Sequence, residues 1–426
     1  MYFCRMYALV DCNNFYVSCE RFFQPQYENK PVVVLSNNDG CVISRSEEAK
    51  ALKIPMGAPE FQFRELFAVH NVKVFSSNYA LYGDLSQRVM EVLKDFTPAI
   101  EVYSIDEAFL KFDDFYQRDY TDCGLEIKKK VQKWVGLPVC IGFAPTKALS
   151  KIANRIAKKF KERTNGVYVI DSEEKRVKAL KWTKIEDVWG IGRRLSKKLT
   201  ALGIVTALDF VQPQHEKTIK QLMGVVGDRL RLELLGISVL ELDFFSEAKK
   251  NIAITRSFEH SIVAFSELKE RISTFATIAS EKLRKQKSCC YGISVFLLKK
   301  CSIEERRKSY FTVYKTIPFA TQSALTLSQK AIEVLEEIYI EGESYTKAGV
   351  ILTLIVPQNQ KQFDLFEEEN PKHEKLMKVM DAIRLKMGDR KLKIANQDMN
   401  RTWKMKQNHL SNRYTTQIDE MLILKC

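Results

Sequence analysis

Ser104-Ile105-Asp106-Glu107-Ala108 sets two adjacent acids between two apolar runs. Upstream, Ile100 to Tyr103 reads as a strand; downstream, Ala108 to Phe112 reads as its partner. Neighbours in a regular strand point to opposite faces, so both carboxylates serve one site only if a tight turn at Ser104 to Glu107 bends the backbone. For an isolated acidic pair a solvated turn is the ordinary outcome, because charged side chains are mostly exposed. A third carboxylate shifts that balance. Tyr7-Ala8-Leu9-Val10 is a short apolar run consistent with a buried strand, and it ends at Asp11. Asn13 and Asn14 then supply helix-capping chemistry ahead of Phe15 to Glu20.

The chain has 426 residues, too many for one ordinary domain, with 45% hydrophobic and 28% charged residues and few Pro and Gly. Its net charge of +14 suggests a polyanionic partner, nucleic acid or a membrane surface. The charge is concentrated: residues 151–200 hold 15 Lys/Arg against 6 Asp/Glu, which favours a phosphate-contacting surface over a merely solvated face. The 10 cysteines form no CxxC pair and no Cys/His ligand set, which argues against structural zinc, and Cys289-Cys290 reads as a buried apolar pair. The N-terminus lacks the apolar core of a signal peptide, and no run approaches the roughly 18 apolar residues of a membrane span. A cytoplasmic protein with reduced thiols is expected.

Further along, Pro31 to Leu35 reads as a strand, Asn37-Asn38-Asp39-Gly40 as a hairpin turn and Cys41 to Ser44 as the return. Ser44-Arg45-Ser46-Glu47 matches a capping box opening a helix through Leu52. Val72 to Phe75 reads as a strand, and Leu81, Leu85, Val89, Val92 and Leu93 form a helical stripe over 78–94. A helix over 125–134, a strand over 139–143, a basic helix over 148–160 and a strand over 167–170 complete an α+β sheet with helices on one face. Residues 171–240 read as short helices with glycine turns. There Val188-Trp189-Gly190-Ile191-Gly192 precedes Arg193, Arg194, Lys197 and Lys198, a turn-into-helix arrangement suited to DNA phosphates. Strand, helix, strand, strand, helix and strand follow between 262 and 356, with Lys299-Lys300 and Arg306-Arg307-Lys308 at strand ends. Beyond Pro357, Gln362-Phe363-Asp364-Leu365-Phe366 reads either as a docking peptide or as a tail packed on its own protein, ahead of a short helix over 373–386.

Asp11, Asp106 and Glu107, with no His or Cys ligands in the pattern, favour a hard cation such as Mg²⁺, whose shell substrate phosphates complete. The main-chain carbonyl of Cys12 adjoins them. Two such ions can hold the attacking and leaving oxygens of an in-line phosphoryl displacement.

With these motifs assembled, the chain resembles the Y-family translesion DNA polymerases, and more closely their UmuC-type branch, the catalytic subunits of bacterial DNA polymerase V. The resemblance rests on Asp11-Cys12-Asn13-Asn14-Phe15-Tyr16, Tyr103 to Ala108, Val33 to Ile43, Phe75 to Tyr79, Asp187 to Arg194 and Arg413-Tyr414-Thr415-Thr416. It extends from Met6 to the C-terminus, with Met6 in the place of the usual start. It implies an α+β multidomain right-hand polymerase: a ferredoxin-like palm (1–20 and 75–170), small fingers (21–74), a helical thumb with a helix-hairpin-helix (171–242), an α+β little finger (243–356) and a partner-binding tail (357–426).

The same resemblance gives Asp11, Asp106, Glu107 and the Cys12 carbonyl to the catalytic metals. It makes Tyr16 the steric gate against a ribose 2′-hydroxyl and Phe15 the packing residue beside it, a division that periodicity alone does not settle. Lys158 would reach the incoming dNTP triphosphate, and Lys50 stands where many members use an arginine. A lysine gives up the planar bidentate fork of arginine for a point charge. Glu47 stands where many have a tyrosine on the triphosphate, and an acid there would repel that substrate. Gly190, Gly192, Arg193, Arg194 and Lys197 would hold primer-template DNA. Gln362, Leu365 and Phe366 look like a sliding-clamp peptide, and a processed UmuD-type dimer and a recombinase filament are the remaining implied partners. The rival expectation is a non-catalytic DNA- and clamp-binding scaffold of the same fold, whose support is Glu47 and Lys50.

Overall fold

Met6–Cys12 (β1) is buried along its whole length, and a strand buried on both faces needs cover on both. In the computed structural model, which describes residues 5–113, 119–244, 247–300, 310–362, 369–388, 391–397 and 405–423, β1 is the centre of a five-stranded sheet. The remaining strands of the first compact unit are Val32–Leu35 (β2), Val42–Arg45 (β3), Lys73–Ser76 (β4), Ile100–Val102 (β5), Glu107–Phe112 (β6), Val139–Ala144 (β7) and Val167–Val169 (β8). The central sheet runs β5-β6-β1-β7-β8, with β1 antiparallel to β6 and β7.

Alternation along β1 divides its neighbours. Ala8 and Val10, with Leu110 and Phe143 beside them, pack on Val17, Leu85, Val89, Ile127 and Val131 of three helices, Phe15–Phe23, Tyr79–Lys94 and Tyr120–Val135. On the other face Leu9 is in register with Gly142, against which the helix Lys147–Lys159 lies. A Cβ at Gly142 would sit 2.0 Å from the backbone nitrogen of Asn154, so only glycine permits that approach. Asn154 closes the contact by donating to the carbonyls of Leu9 (3.2 Å) and Cys140 (2.7 Å). The helices therefore cover both faces, not the single face that the sequence pattern suggests.

The second sheet, β3-β2-β4, carries the helices Glu47–Ala51 and Glu60–Val69. The latter has no counterpart in the reading of the sequence. The capping box expected from Ser44 and Glu47 is also displaced. Ser46 is the cap, accepting from the Ala49 N–H at 3.2 Å, while Ser44 lies within β3 and its hydroxyl accepts from Val17 N at 3.4 Å. Residues 171–244 form short helices, among them Glu173–Trp182, Arg193–Ala201, Ala207–Val211 and Glu216–Leu234. They bury Leu180, Leu199, Phe210 and Leu230 together with Leu149 and Ile152 of the Lys147–Lys159 helix.

The second compact unit spans Ser246–Lys404. Its strands, Ile252–Ile262 (β9), Ser288–Lys299 (β10), Tyr310–Thr321 (β11) and Tyr345–Pro357 (β12), form an antiparallel sheet in the order β11-β10-β12-β9. The helices Phe265–Lys285 and Ala324–Ile338 bury Leu268, Phe275, Leu327 and Leu335 in its core. Arg306-Arg307-Lys308 lies outside the described residues. The C-terminal stretch 357–426 is not one body: the helix Lys372–Met387 packs Met377 and Met380 on Ala324 of the second unit, whereas 405–423 belongs to the first. Cys12, Cys19, Cys41, Cys123, Cys140, Cys289 and Cys290 are free thiols. Among the described residues no helix is long and apolar enough to cross a membrane.

Candidate active site

The antiparallel register of β1 and β6 sets Asp11 opposite Glu107, and the Cys12 N–H donates to the carbonyl of Asp106 at 2.9 Å. The turn before β6 is tight. The N–H groups of Tyr103 and Ser104 both reach the Glu107 carbonyl, at 3.0 and 3.1 Å. The Ser104 hydroxyl accepts from the N–H of Asp106 (3.3 Å) and of Glu107 (3.0 Å) and donates to Asp106 Oδ1 at 2.6 Å. One serine thus fixes the backbone of both acids and the carboxylate of the first. Asp11 is 7% exposed, and Asp106 and Glu107 are half-buried.

Two lysines on the Lys147–Lys159 helix meet these acids. Lys158 Nζ lies 2.5 Å from Asp11 Oδ2, and Lys151 Nζ lies 3.0 Å from Glu107 Oε2. Seven residues make about two helical turns, so both lysines leave the same face. Burial pushes the Asp11 carboxyl up, Lys158 opposes this, and Glu107 and Asp106 push it further, to about 7. Among the described residues no three His, Cys, Asp or Glu side chains converge closely enough to hold a metal ion as they stand; Asp11 and Glu107 face ammonium groups instead. The donor chemistry nonetheless fits a hard divalent cation. Carboxylates clustered at a strand end, one of them pushed toward its neutral form by burial first and then by the others, gain from added positive charge. Cys12 fits only through its carbonyl. Its side chain is buried, and burial, then Asp11 and Asp106, push the thiol up well above its usual range.

Tyr16 is half-buried and Phe15 is buried in the core. The Tyr16 ring stacks on Tyr82 at 4.7 Å and 24° and meets Tyr79 edge-on at 6.1 Å. Its phenol is raised by burial first, then by Tyr79 and by Asp106. Lys50 Nζ contacts both Asn14 Oδ1 and Glu47 Oε1 at 2.7 Å, and Asn14 donates to the same Glu47 oxygen at 3.0 Å. Burial pushes the Glu47 carboxyl up, but these hydrogen bonds outweigh it and hold it below its usual value.

The glycine turn lies at the start of the helix Arg193–Ala201, with Arg193, Arg194, Lys197 and Lys198 exposed. Gly190 has φ 84°, which favours glycine; Gly192 caps the helix at φ −84°, a value open to any residue. A Cβ at Gly192 would meet nothing within 4 Å, so the fold itself does not call for glycine there. Trp189 Nε1 donates to the Tyr103 hydroxyl at 3.0 Å, linking this turn to the acidic one. The rings of Tyr103, Trp189 and Phe109 surround Lys151 Nζ at 4.4, 5.5 and 5.6 Å. In the second unit Gln362 is exposed, and its N–H donates to Tyr291 Oη at 3.0 Å; Leu365 and Phe366 lie outside the described residues.

Reading the sequence missed Ser104, Lys151 and Trp189 as parts of this site. The spacing of Lys151 from Lys158 was the available signal for the second.

The model of the impB/mucB/samB family matches residues 10–155, that of its C-terminal domain residues 249–365, and a domain of unknown function (DUF4113) residues 374–424. The chain is 42% identical over 425 residues to the protein UmuC of Salmonella typhimurium, covering 99% of this chain and 100% of that one. It is 39% identical to ImpB of the same organism, covering 96% and 97%, and 26% identical to DNA polymerase IV of Pelotomaculum thermopropionicum, covering 89% and 92%. Among solved structures it is similar to a Y-family DNA polymerase chimera of Dbh and Dpo4, with TM-score 0.67 and 21% identity over 83% of this chain and 99% of that one. It is also similar to Dbh DNA polymerase in an insertion ternary complex, with TM-score 0.54, the same 21% identity and the same coverage. The chain belongs to the impB/mucB/samB family. Within it the full-length likeness is of the UmuC type.

Proposed function

We propose that this chain is the error-prone catalytic subunit of a translesion polymerase that adds dNTPs to a DNA primer opposite a damaged template, in the SOS response. The observation that carries the reading is the register of Asp11 with Glu107, beside an Asp106 fixed by Ser104. Asp11, Asp106, Glu107 and the Cys12 carbonyl would hold two Mg²⁺ ions. When bound, such ions neutralise phosphate charge and activate the primer hydroxyl.

The chain's own residues supply the rest. Lys158 is a cation that can exchange Asp11 for a triphosphate oxygen, since its side chain is already 38% exposed. Lys151, held by Glu107 and three rings, keeps that carboxylate oriented. Tyr16, braced by Tyr82, would exclude a 2′-hydroxyl, with Phe15 as packing behind it. Lys50 would turn from Glu47 to the triphosphate, which lowers the repulsion that Glu47 alone would exert. Gly190, Gly192, Arg193, Arg194 and Lys197 would bind the DNA backbone without reading sequence. Palm, fingers, thumb and little finger take the boundaries given by the resemblance. Gln362, Leu365 and Phe366 would engage a sliding clamp, and a processed UmuD-type dimer and a recombinase filament would complete the assembly.

Primer extension by Asp106→Asn and Glu107→Gln, with clamp and UmuD-type partner supplied, tests this reading. Loss of extension with DNA binding retained is expected. Robust extension by both variants would overturn the assignment.

A further inference from the structure

Residues 405–414 return to the first unit and dock on the turn Asn37–Asp39, on β4 and on the helix Phe15–Phe23. The bonding is dense. Asn408 N donates to Asp39 Oδ2 at 2.8 Å, His409 N to Ser76 Oγ at 3.0 Å, and Ser76 N to the His409 carbonyl at 2.9 Å. Asn78 Nδ2 reaches the carbonyls of Ser411 and Asn412 at 3.2 and 3.1 Å, and Tyr414 stacks on Phe23 at 4.6 Å and 12°.

The segment also reaches the buried Glu20. This residue is 0% exposed, and its Oε1 accepts from Ser411 Oγ at 2.9 Å and from Tyr82 Oη at 2.6 Å. Its second oxygen is buried without a hydrogen-bond partner among the described residues. A buried acid depends strongly on each donor it retains. Tyr82 is in turn the ring on which Tyr16 stacks. Ser411 is therefore three contacts from Tyr16, though it lies 391 residues from Glu20 in the chain.

We propose that the segment 405–414 is a positioning element for the nucleotide pocket: Ser411 fixes Glu20, Glu20 fixes the Tyr82 hydroxyl, and Tyr82 fixes the Tyr16 ring. The inference rests on Tyr16 being the sugar gate. It assigns part of the domain of unknown function an intramolecular task, and it makes Glu20, Tyr82 and Ser411 positioning residues for sugar selection.

The test is the ratio of kcat/KM for a dNTP to that for the matching rNTP, in full-length chain with clamp and UmuD-type partner. Ser411→Ala and Tyr82→Phe should each lower the ratio about threefold to tenfold, the worth of one hydrogen bond. Ser411→Thr should restore it, and the double variant should fall less than the product of the singles. Thermal unfolding and primer-template binding report whether each variant is intact. Unchanged ratios in both variants, with a relaxed ratio in Tyr16→Ala, would overturn the positioning role and leave the gate standing. An unchanged ratio in Tyr16→Ala would overturn the gate itself, and the inference with it.

Discussion

Asp11 and Glu20 are both sunk in the first unit, and burial pushes each carboxyl up to about 7. Their surroundings differ in kind. Asp11 sits at a strand end with a partly exposed lysine against it and two further carboxylates adding to the pressure. Glu20 is sealed under the C-terminal segment, and its direct partners are the hydroxyls of Tyr82 and Ser411. A site of the first kind gains from positive charge brought in from outside. One of the second kind is built to hold its neighbours still.

Substitutions at the two acids should therefore separate activity from stability. Asp11→Asn should cut single-nucleotide incorporation by about 10²–10³-fold or more, on the scale of losing one major electrostatic contact to the transition state. Thermal unfolding at pH 8 should not fall, because a buried charge has been removed. A stable but fully active Asp11→Asn protein would erase the contrast.

Glu20 contributes a pH dependence of its own. Its folded pKa lies above the ordinary 4.5, so its contribution is fully present below about pH 4.5 and is lost as pH rises through about 7. Between those limits the wild type should lose about 3 kcal/mol that Glu20→Gln does not lose, read as the difference between their denaturation midpoints. Equal slopes for the two proteins would show that Glu20 is not held toward its neutral form.

The glycine turn sharpens the comparison on a smaller scale. Gly190→Ala should destabilise by about 1–2 kcal/mol because of its left-handed backbone. Gly192→Ala should leave stability unchanged and, because its Cβ would stand in the way of a phosphate approaching the N–H groups of the turn, weaken DNA binding by about 1 kcal/mol, the worth of one such contact. Lys197→Ala should lower the slope of log affinity against log salt by about 1. If Gly192→Ala destabilised instead, its glycine would serve the fold and not a ligand.

What could be read from the sequence follows from which signals are local. The turn at Ser104 to Glu107 and the acid after Tyr7 to Val10 are marked by short apolar runs with an abrupt polar stop, and both stand as strand ends. The cap stands two positions beyond the one the sequence suggests because Ser44 and Ser46 offer the same chemistry; only the pairing of Ser44 in β3 separates them. The second face of the central sheet turns on Gly142, a residue whose meaning is a clearance with no side-chain signature. The docking of Ser411 on Glu20 was not legible at all. Both are ordinary polar residues, and nothing periodic connects them across the chain.

If Asp11, Asp106 and Glu107 jointly hold the ions of nucleotidyl transfer, loss of either acid of the turn should cost divalent-ion binding. Mn²⁺ titration followed by electron paramagnetic resonance, on full-length protein with primer-template and a non-hydrolysable dNTP, tests it directly. Bound Mn²⁺ is expected in the wild type and should be lost from Asp106→Asn and from Glu107→Gln while DNA binding persists. Undiminished Mn²⁺ binding in both variants would contradict it.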